Sequence, residues 1–369
     1  MAMVLAHVSD LHVSRFGEHV TSLSSRKTHG RAAPRSRGPA WEVVEIVDEW
    51  RIERRTEELR LVDDAGKVHQ RRRVQPADAA TLQQSFAAMV RERTRTAHDR
   101  LAANLPDANE VERLLVEDPT NTNLLFLRAA RILVEDAPDW VLLTGDLTDD
   151  GVGYDLILAA LAPFIERGRL LAVPGNHDVY DSPMFVVPAH ARKRRTEKLA
   201  AWRAFAAQLG LPDAQYWLRE LGEGALVCGL DSCNPALTPI SASGAILTQT
   251  LRELTAALPP ATPADCRIAM LHHHVVNPPV RAVGSSPWQL GMRLRNARTV
   301  YETLRELQFR CVLNGHRHVG YRYHPSHAPM FISAPSATLG CRSGSTTRPF
   351  YWRIEVRDGD LGSVRERTL

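Results

Sequence analysis

Short apolar runs that stop at Gly, Asp or His punctuate this chain. Residues 4–8 lead into Ser9-Asp10-Leu11-His12, 141–143 into Gly145-Asp146, and 170–173 into Gly175-Asn176-His177-Asp178. Residues 268–271 lead into His272-His273-His274, and 311–313 into Gly315-His316-Arg317-His318. Such runs, closed by turn-forming residues, predict buried strands followed by loops. Helical periodicity falls between them, over 77–104, 108–116, 124–135, 156–167, 196–209, 247–258 and 297–308, the last with Asn296 at its N-cap. Further strands are expected at 225–230, 330–333 and 350–356. Strand-loop-helix alternation with apolar strands predicts a layered α/β domain, and loops at the carboxyl ends of its strands are where such a domain carries its chemistry. Residues 41–74 differ. Apolar and charged positions alternate there around Asp63-Asp64-Ala65-Gly66, which predicts two or three exposed strands.

Bulk properties narrow the picture. A chain of 369 residues is long enough for two or three domains, but motifs spread from Asp10 to His318 must converge, which favours one domain carrying an insertion. The 46 basic residues nearly balance the 42 acidic ones, so neither a nucleic-acid protein nor a disordered tail is indicated. Basic stretches at 21–40 and 191–203 read as solvated loop and helix faces, with attraction of an anionic substrate as the alternative. Cys228, Cys233, Cys266, Cys311 and Cys341 show no Cys-x-x-Cys spacing, so reduced thiols are expected. With no signal-peptide pattern and no stretch of 18 apolar residues, a soluble cytoplasmic protein is expected, with no membrane partner.

The five loops deliver Asp, His and Asn to what reads as one rim. These are hard or borderline ligands without cysteine, which suits Mn, Fe or Zn. Each motif alone fits ordinary turn chemistry; five in this order, each after its own apolar run, do not. Of the histidine triplet, His272 is the expected ligand because it directly follows the apolar run, with His273 the alternative and His274 packing or facing solvent. Arg317 reads as a surface residue, a phosphate contact being the alternative.

This set of motifs resembles the calcineurin-like metallophosphoesterase superfamily over residues 4–340. Within it, residues 145–151, 271–274, 294–297 and 334–336 resemble the class III cyclic nucleotide phosphodiesterases. The resemblance implies a four-layer sandwich of two mixed β-sheets flanked by helices. It implies two divalent metal ions (Mn, Fe or Zn), with Asp10, His12 and His318 on the first, Asn176, His272 and His316 on the second, and Asp146 bridging. A bridging hydroxide, two carboxylates and two dications sum to about +1, which matches a phosphodiester monoanion. His177 is expected to stabilise the phosphate or protonate the leaving alkoxide. Asp178 is expected either to orient the His177 ring or to serve as an N-cap or turn residue. Purple acid phosphatases place a tyrosine ligand three positions after the bridging Asp; Asp149 stands there, which favours a divalent pair.

The spacing from Asp10 to Asp146 is several times that of the family, so residues 30–120 read as an inserted subdomain, with 1–29 and 121–369 forming the catalytic domain. The insertion is expected to lean over the site as a lid, or to decorate the surface and support a homodimer. The expected activity is hydrolysis of a cyclic nucleotide or other small phosphodiester. The alternatives are an exonuclease of the same superfamily, which would want a basic, aromatic-bearing groove that the insertion, mixing arginines with many acids, matches poorly, and a non-catalytic scaffold, which should have lost a ligand.

Overall fold

A computed structural model describes residues 2–18, 41–47, 50–63, 66, 68–73, 75, 78–180, 188–233, 242–276, 292–341 and 348–369. In chain order its strands are β1 (Met3–Val8), β2 (Glu42–Val47), β3 (Trp50–Arg55), β4 (Glu58–Val62), β5 (Val68–Arg73), β6 (Trp140–Leu143) and β7 (Leu170–Ala172). They continue as β8 (Tyr216–Gly222), β9 (Ala225–Leu230), β10 (Cys266–Met270), β11 (Cys311–Asn314), β12 (Tyr321–Tyr323), β13 (Met330–Ser333), β14 (Phe350–Arg357) and β15 (Asp360–Thr368). One sheet has the order β15-β14-β1-β6-β7, a second β12-β13-β11-β10-β9-β8, and a third β2-β3-β4-β5. The first two are mixed: parallel pairs run through β1-β6-β7 and β13-β11-β10-β9, with antiparallel strands at the edges.

Alternation along β10 shows why these two sheets stack. Ile268 and Met270 face a core shared with Leu5 and Val141 of the first sheet, while Ala269 and Leu271 face Leu254 and Val300 of the helices Thr248–Ala257 and Ala297–Glu306. A period of two thus gives each strand two apolar faces, one against a sheet and one against helices. The helices Thr122–Asp136 and Tyr154–Ala160 add Phe126, Leu127, Leu156 and Ile157 to the shared core. The result is two mixed sheets with flanking helices. Because β1, β6, β10 and β11 run parallel within their sheets, their carboxyl ends fall in register and the loops after them meet.

The third sheet is a unit with its own core. Trp50, Ile52, Leu59 and Leu61 are buried against Phe86, Ala87 and Val90 of the helix Ala79–Thr94, with Phe16 joining from the segment after His12. The alternation at 41–74 therefore marks four strands with one covered face, where two or three exposed strands were predicted. The helix predicted over 77–104 is two helices, Ala79–Thr94 and His98–Ala103. The second of these, with Ala108–Glu117, packs into the main core through Leu101, Val111, Leu114 and Leu115. Periodicity reads straight through the break because both pieces keep an apolar stripe. The basic stretch at 21–40 lies outside the described residues. No helix among the described residues is long and apolar enough to cross a membrane.

Candidate metal centre

Five of the expected ligands hold left-handed backbone: Asp10 (φ 55°), His12 (51°), Asp146 (50°), His316 (76°) and His318 (53°). For side chains of this size each such turn costs about 1–3 kcal/mol, and residues in this region concentrate where surrounding structure forces the chain to present a group. The forcing contacts are visible. Asp10 and His12 amides donate to Gly145 and Asp146 carbonyls at 3.0 Å each, zipping the first two loops together. The His316 amide donates to both Asp10 carboxylate oxygens at 3.1 and 3.0 Å, and the His177 amide donates to Asp146 Oδ1 at 2.8 Å. Gly315 is required by close approach, since a Cβ there would lie 1.7 Å from Ser9 Oγ and 2.3 Å from Asp10 Oδ2.

The side chains fall into two groups of donor atoms. In the first, His12 Nε2 lies 2.9 Å from His318 Nε2, and His318 Nε2 lies 3.3 Å from Asp10 Oδ1. In the second, His272 Nε2 lies 3.2 Å from Asp146 Oδ2, 3.1 Å from Asn176 Oδ1 and 3.1 Å from His316 Nδ1. All except Asn176, which is 5% exposed, are almost fully buried. The far nitrogens fix the tautomers. His12 Nδ1–H donates to Asp149 Oδ1 at 2.6 Å, His272 Nδ1–H to the Thr144 carbonyl at 2.8 Å, and His316 Nε2–H to the Met292 carbonyl at 3.2 Å. That turns the other ring nitrogens toward carboxylate and amide oxygens at close range, where a proton or a metal ion has to sit between them. Donor atoms about 2.0–2.2 Å from a tetrahedral or octahedral ion lie roughly 3–3.5 Å from one another, the spacing seen here. The residues fit the metal they are expected to hold.

Electrostatics agree. Burial by itself would raise Asp146 and Asp10, but the imidazoles around them, His272 and His177 for Asp146 and His318 for Asp10, hold both below the ordinary carboxylate range. Burial works against a charged His272, yet Asp146 and Asp10 raise its pKa to about 9, so the ring holds a proton tightly when nothing else takes its place.

His177 stands at the edge, its side chain 20% exposed, with Nε2 4.0 Å from Asp146 Oδ2 and Nδ1 3.1 Å from Asp149 Oδ1. Burial again opposes its charge, and Asp146 and Asp149 outweigh it to raise the pKa to about 9. Asp149 touches both His12 and His177 through one oxygen, and these rings hold it well below its usual value against the effect of burial. Lys198 supports the same corner, its Nζ donating to the carbonyls of Asp149 at 2.9 Å and His177 at 2.7 Å.

Several sequence expectations change. The carboxylate on the His177 ring is Asp149, a role that one of the two readings gave to Asp178. Asp178 instead accepts from the amides of Gly175, Leu147 and Thr148 and from the Tyr154 hydroxyl at 2.9–3.1 Å, which ties the second and third loops together. This is its turn-residue reading, because the short helix Asn176–Val179 points the carboxylate back at its own N-terminus. His273 lies with its ring against His316 and His272 but turns both nitrogens away from the donor groups, to Ser232 Oγ at 2.8 Å and the Ala242 carbonyl at 2.9 Å, and His274 hydrogen-bonds the Tyr321 hydroxyl and the Gly315 carbonyl. Arg317 is buried, not a surface residue. Asn296 makes no side-chain cap; it clamps Ile246 by hydrogen bonds to its amide and carbonyl. Asp149 and Lys198 were missed. The signal for Lys198 was its place one and two turns before Trp202 and Phe205, on the stripe of the helix Pro188–Gln208 that meets the core.

Residues 119–320 match the family described as calcineurin-like phosphoesterase, more than half of the chain. The chain belongs to the calcineurin-like phosphoesterase family. Its fold is similar to a dimetal phosphatase from Danio rerio at 16% identity, covering 67% of this chain and 88% of that one with a TM-score of 0.43. It is similar also to the purple acid phosphatase PPD1 from yellow lupin (Lupinus luteus) seeds, at 11% identity over 66% of this chain and 48% of that one, TM-score 0.46. A third likeness is to the phosphopantetheinyl hydrolase of Mycobacterium tuberculosis, at 13% identity, 54% and 79% coverage and a TM-score of 0.34. No curated protein matches the sequence. As a calcineurin-like phosphoesterase the chain is a hydrolase of phosphate esters, and both donor groups lie on strand-end loops of its two mixed sheets.

Proposed function

We propose that this calcineurin-like phosphoesterase is a dinuclear metal-dependent phosphodiesterase for small substrates, with 3′,5′-cyclic AMP the first candidate. The observation that carries the chemistry is His272 Nε2 held 3.1–3.2 Å from three other ligand atoms, beside a second such group. Asp10, His12 and His318 are assigned to one divalent ion, and Asn176, His272 and His316 to the other, with Asp146 shared. The ions, when bound, supply positive charge to the phosphoryl oxygens and lower the pKa of water for in-line attack. His177, outside both groups and partly exposed, is the proton donor to the leaving alkoxide, and Asp149 holds its ring by Nδ1 so that Nε2 points toward the shared carboxylate. Lys198 fixes the backbone of both.

The diester preference is supported by the resemblance at 145–151, 294–297 and 334–336. Two of these stretches have structural work in the fold: Ser336 Oγ donates to the Asp10 carbonyl at 2.7 Å, and Asn296 clamps Ile246. The substrate reading is tested on purified protein reconstituted with Mn²⁺, comparing bis-p-nitrophenyl phosphate, p-nitrophenyl phosphate and 3′,5′-cyclic AMP. Turnover of diesters, abolished by chelation, is expected. His177→Ala should keep its metal and lose about 10²–10⁴-fold in turnover. Hydrolysis of monoesters with no diester turned over would sink the reading.

A further inference from the structure

Arg317 sits between His316 and His318, one residue from a donor of each group. It is 5% exposed, its Nε is buried without a hydrogen-bond partner, and no carboxylate among the described residues pairs with it. A guanidinium is always charged, so burying one without a counter-ion is strongly disfavoured, and such residues are normally found paired. The neighbouring charge here is a second cation. Burial lowers the Arg317 pKa below its ordinary value, Tyr321 opposes this, and Arg293 adds to it.

Arg293 is exposed, but its backbone is fixed at the site. The Met292 carbonyl accepts from His316 Nε2 at 3.2 Å, and the Arg293 carbonyl accepts from the Gly244 amide at 3.1 Å. The charge sum that matched a phosphodiester monoanion was reached with the ions, two carboxylates and hydroxide alone. Arg317 and Arg293 add two positive charges to that sum.

We propose that Arg317 and Arg293 form an anion subsite beside the His316 donor group, for a negatively charged substituent of the substrate other than the phosphate that reacts. This rests on the phosphodiesterase reading and moves its substrate away from the first candidate: 3′,5′-cyclic AMP is a monoanion and would leave the subsite empty, so small phosphodiesters that carry a second anionic group, a carboxylate or another phosphate, come before it. Arg317 is a binding residue here, set one position from the ligands so that the second charge fixes the distance of the scissile phosphate from the metals.

The test uses two ligands that cannot be hydrolysed, benzylphosphonate and 4-carboxybenzylphosphonate, titrated calorimetrically into the full-length Mn²⁺-loaded protein. The wild type should bind the carboxylated ligand about 10- to 100-fold more tightly, the range of a charge-assisted contact. Arg317→Met, which keeps the buried stem and removes the charge, should erase that preference, and Arg317→Lys should restore part of it. Metal content is measured on each variant. If Arg317→Met fails to fold or to hold metal, the exposed Arg293→Met decides, with a several-fold loss of preference expected. Equal affinity of the wild type for both ligands, or a preference that survives these substitutions, overturns the subsite. A protein that shows the preference and its loss yet hydrolyses no diester would retain the anion subsite and refute the diester reading instead.

Discussion

Replacing Asp149 by asparagine isolates the carboxylate that links a candidate ligand to the candidate acid. The substitution keeps size and one acceptor oxygen and removes one charge. Asp149 Oδ1 accepts from His12 Nδ1 at 2.6 Å and contacts His177 Nδ1 at 3.1 Å, and it is 2% exposed, so solvent screens neither contact. A charge-assisted hydrogen bond contributes about 1.5–3 kcal/mol and a neutral one about 0.5–1.5 kcal/mol, so each contact weakens by roughly 1–1.5 kcal/mol. The two act on different quantities. Loss at His12 should weaken metal affinity about 5- to 15-fold, at the low end of the range usual for partners behind a ligand, and loss at His177 should slow turnover by a similar factor, a combined fall of roughly 25- to 225-fold at limiting metal. Activity on bis-p-nitrophenyl phosphate across a Mn²⁺ titration separates the two. Asp178→Asn should behave differently, lowering thermal stability through its lost backbone contacts while leaving the turnover of the folded fraction largely intact. If Asp149→Asn changes both affinity and turnover by less than about twofold while Asp178→Asn slows turnover, the assignment of the two carboxylates is wrong.

Gly315→Ala should destabilise the fold by about 1–3 kcal/mol and weaken metal binding, because its Cβ would displace the Ser9 and Asp10 side chains; denaturant melts and metal analysis check both. Asp136 accepts from Arg367 Nε and Nη2 and from the Tyr351 hydroxyl at 2.7–2.8 Å, and these bonds, the Arg367 bond first, depress its pKa. Its contribution, up to about 1 kcal/mol, is present above pH ~4 and lost as pH falls through the depressed value, so Asp136→Asn should lower stability at pH 7 and match the wild type near pH 2. Replacing residues 19–94 with a Gly/Ser linker removes the third sheet while sparing Leu101, Val111 and Leu114 of the main core. If that sheet is a wall of the site, the ratio of activity on bulky to small diesters should rise, and identical kinetics on both would exclude the role.

What was legible from sequence was what periodicity and chain order encode. The runs before Asp10, Asp146, Asn176, His272 and His316 became β1, β6, β7, β10 and β11, because apolar residues flanked by turns have few other ways to bury both faces. His272 could be preferred over His273 because it is the residue at which the strand leaves the sheet. Asp149, Lys198 and Arg317 were not legible in the same way. Each is a charged residue whose surroundings come from distant segments: His12 lies 137 positions from Asp149, and Lys198 reaches back 49 positions to the Asp149 carbonyl. Local pattern gave Lys198 and Arg317 the default of charged side chains, a place in solvent. Asp178 was left between two readings for a related reason, since proximity in sequence to His177 says nothing of where a residue in a tight turn points its side chain.

The most direct test of the central claim is the number of metal ions bound per chain. Protein stripped by chelation is dialysed against Mn²⁺, and the bound metal is measured by inductively coupled plasma mass spectrometry for the wild type and for Asp146→Asn. Two ions per chain are expected for the wild type, with clearly weaker binding of both in Asp146→Asn because its carboxylate lies with one donor group and acts electrostatically on the other through His12. One ion or none in the wild type, or loss of a single ion with the other bound as before in Asp146→Asn, would contradict a dinuclear centre built around Asp146.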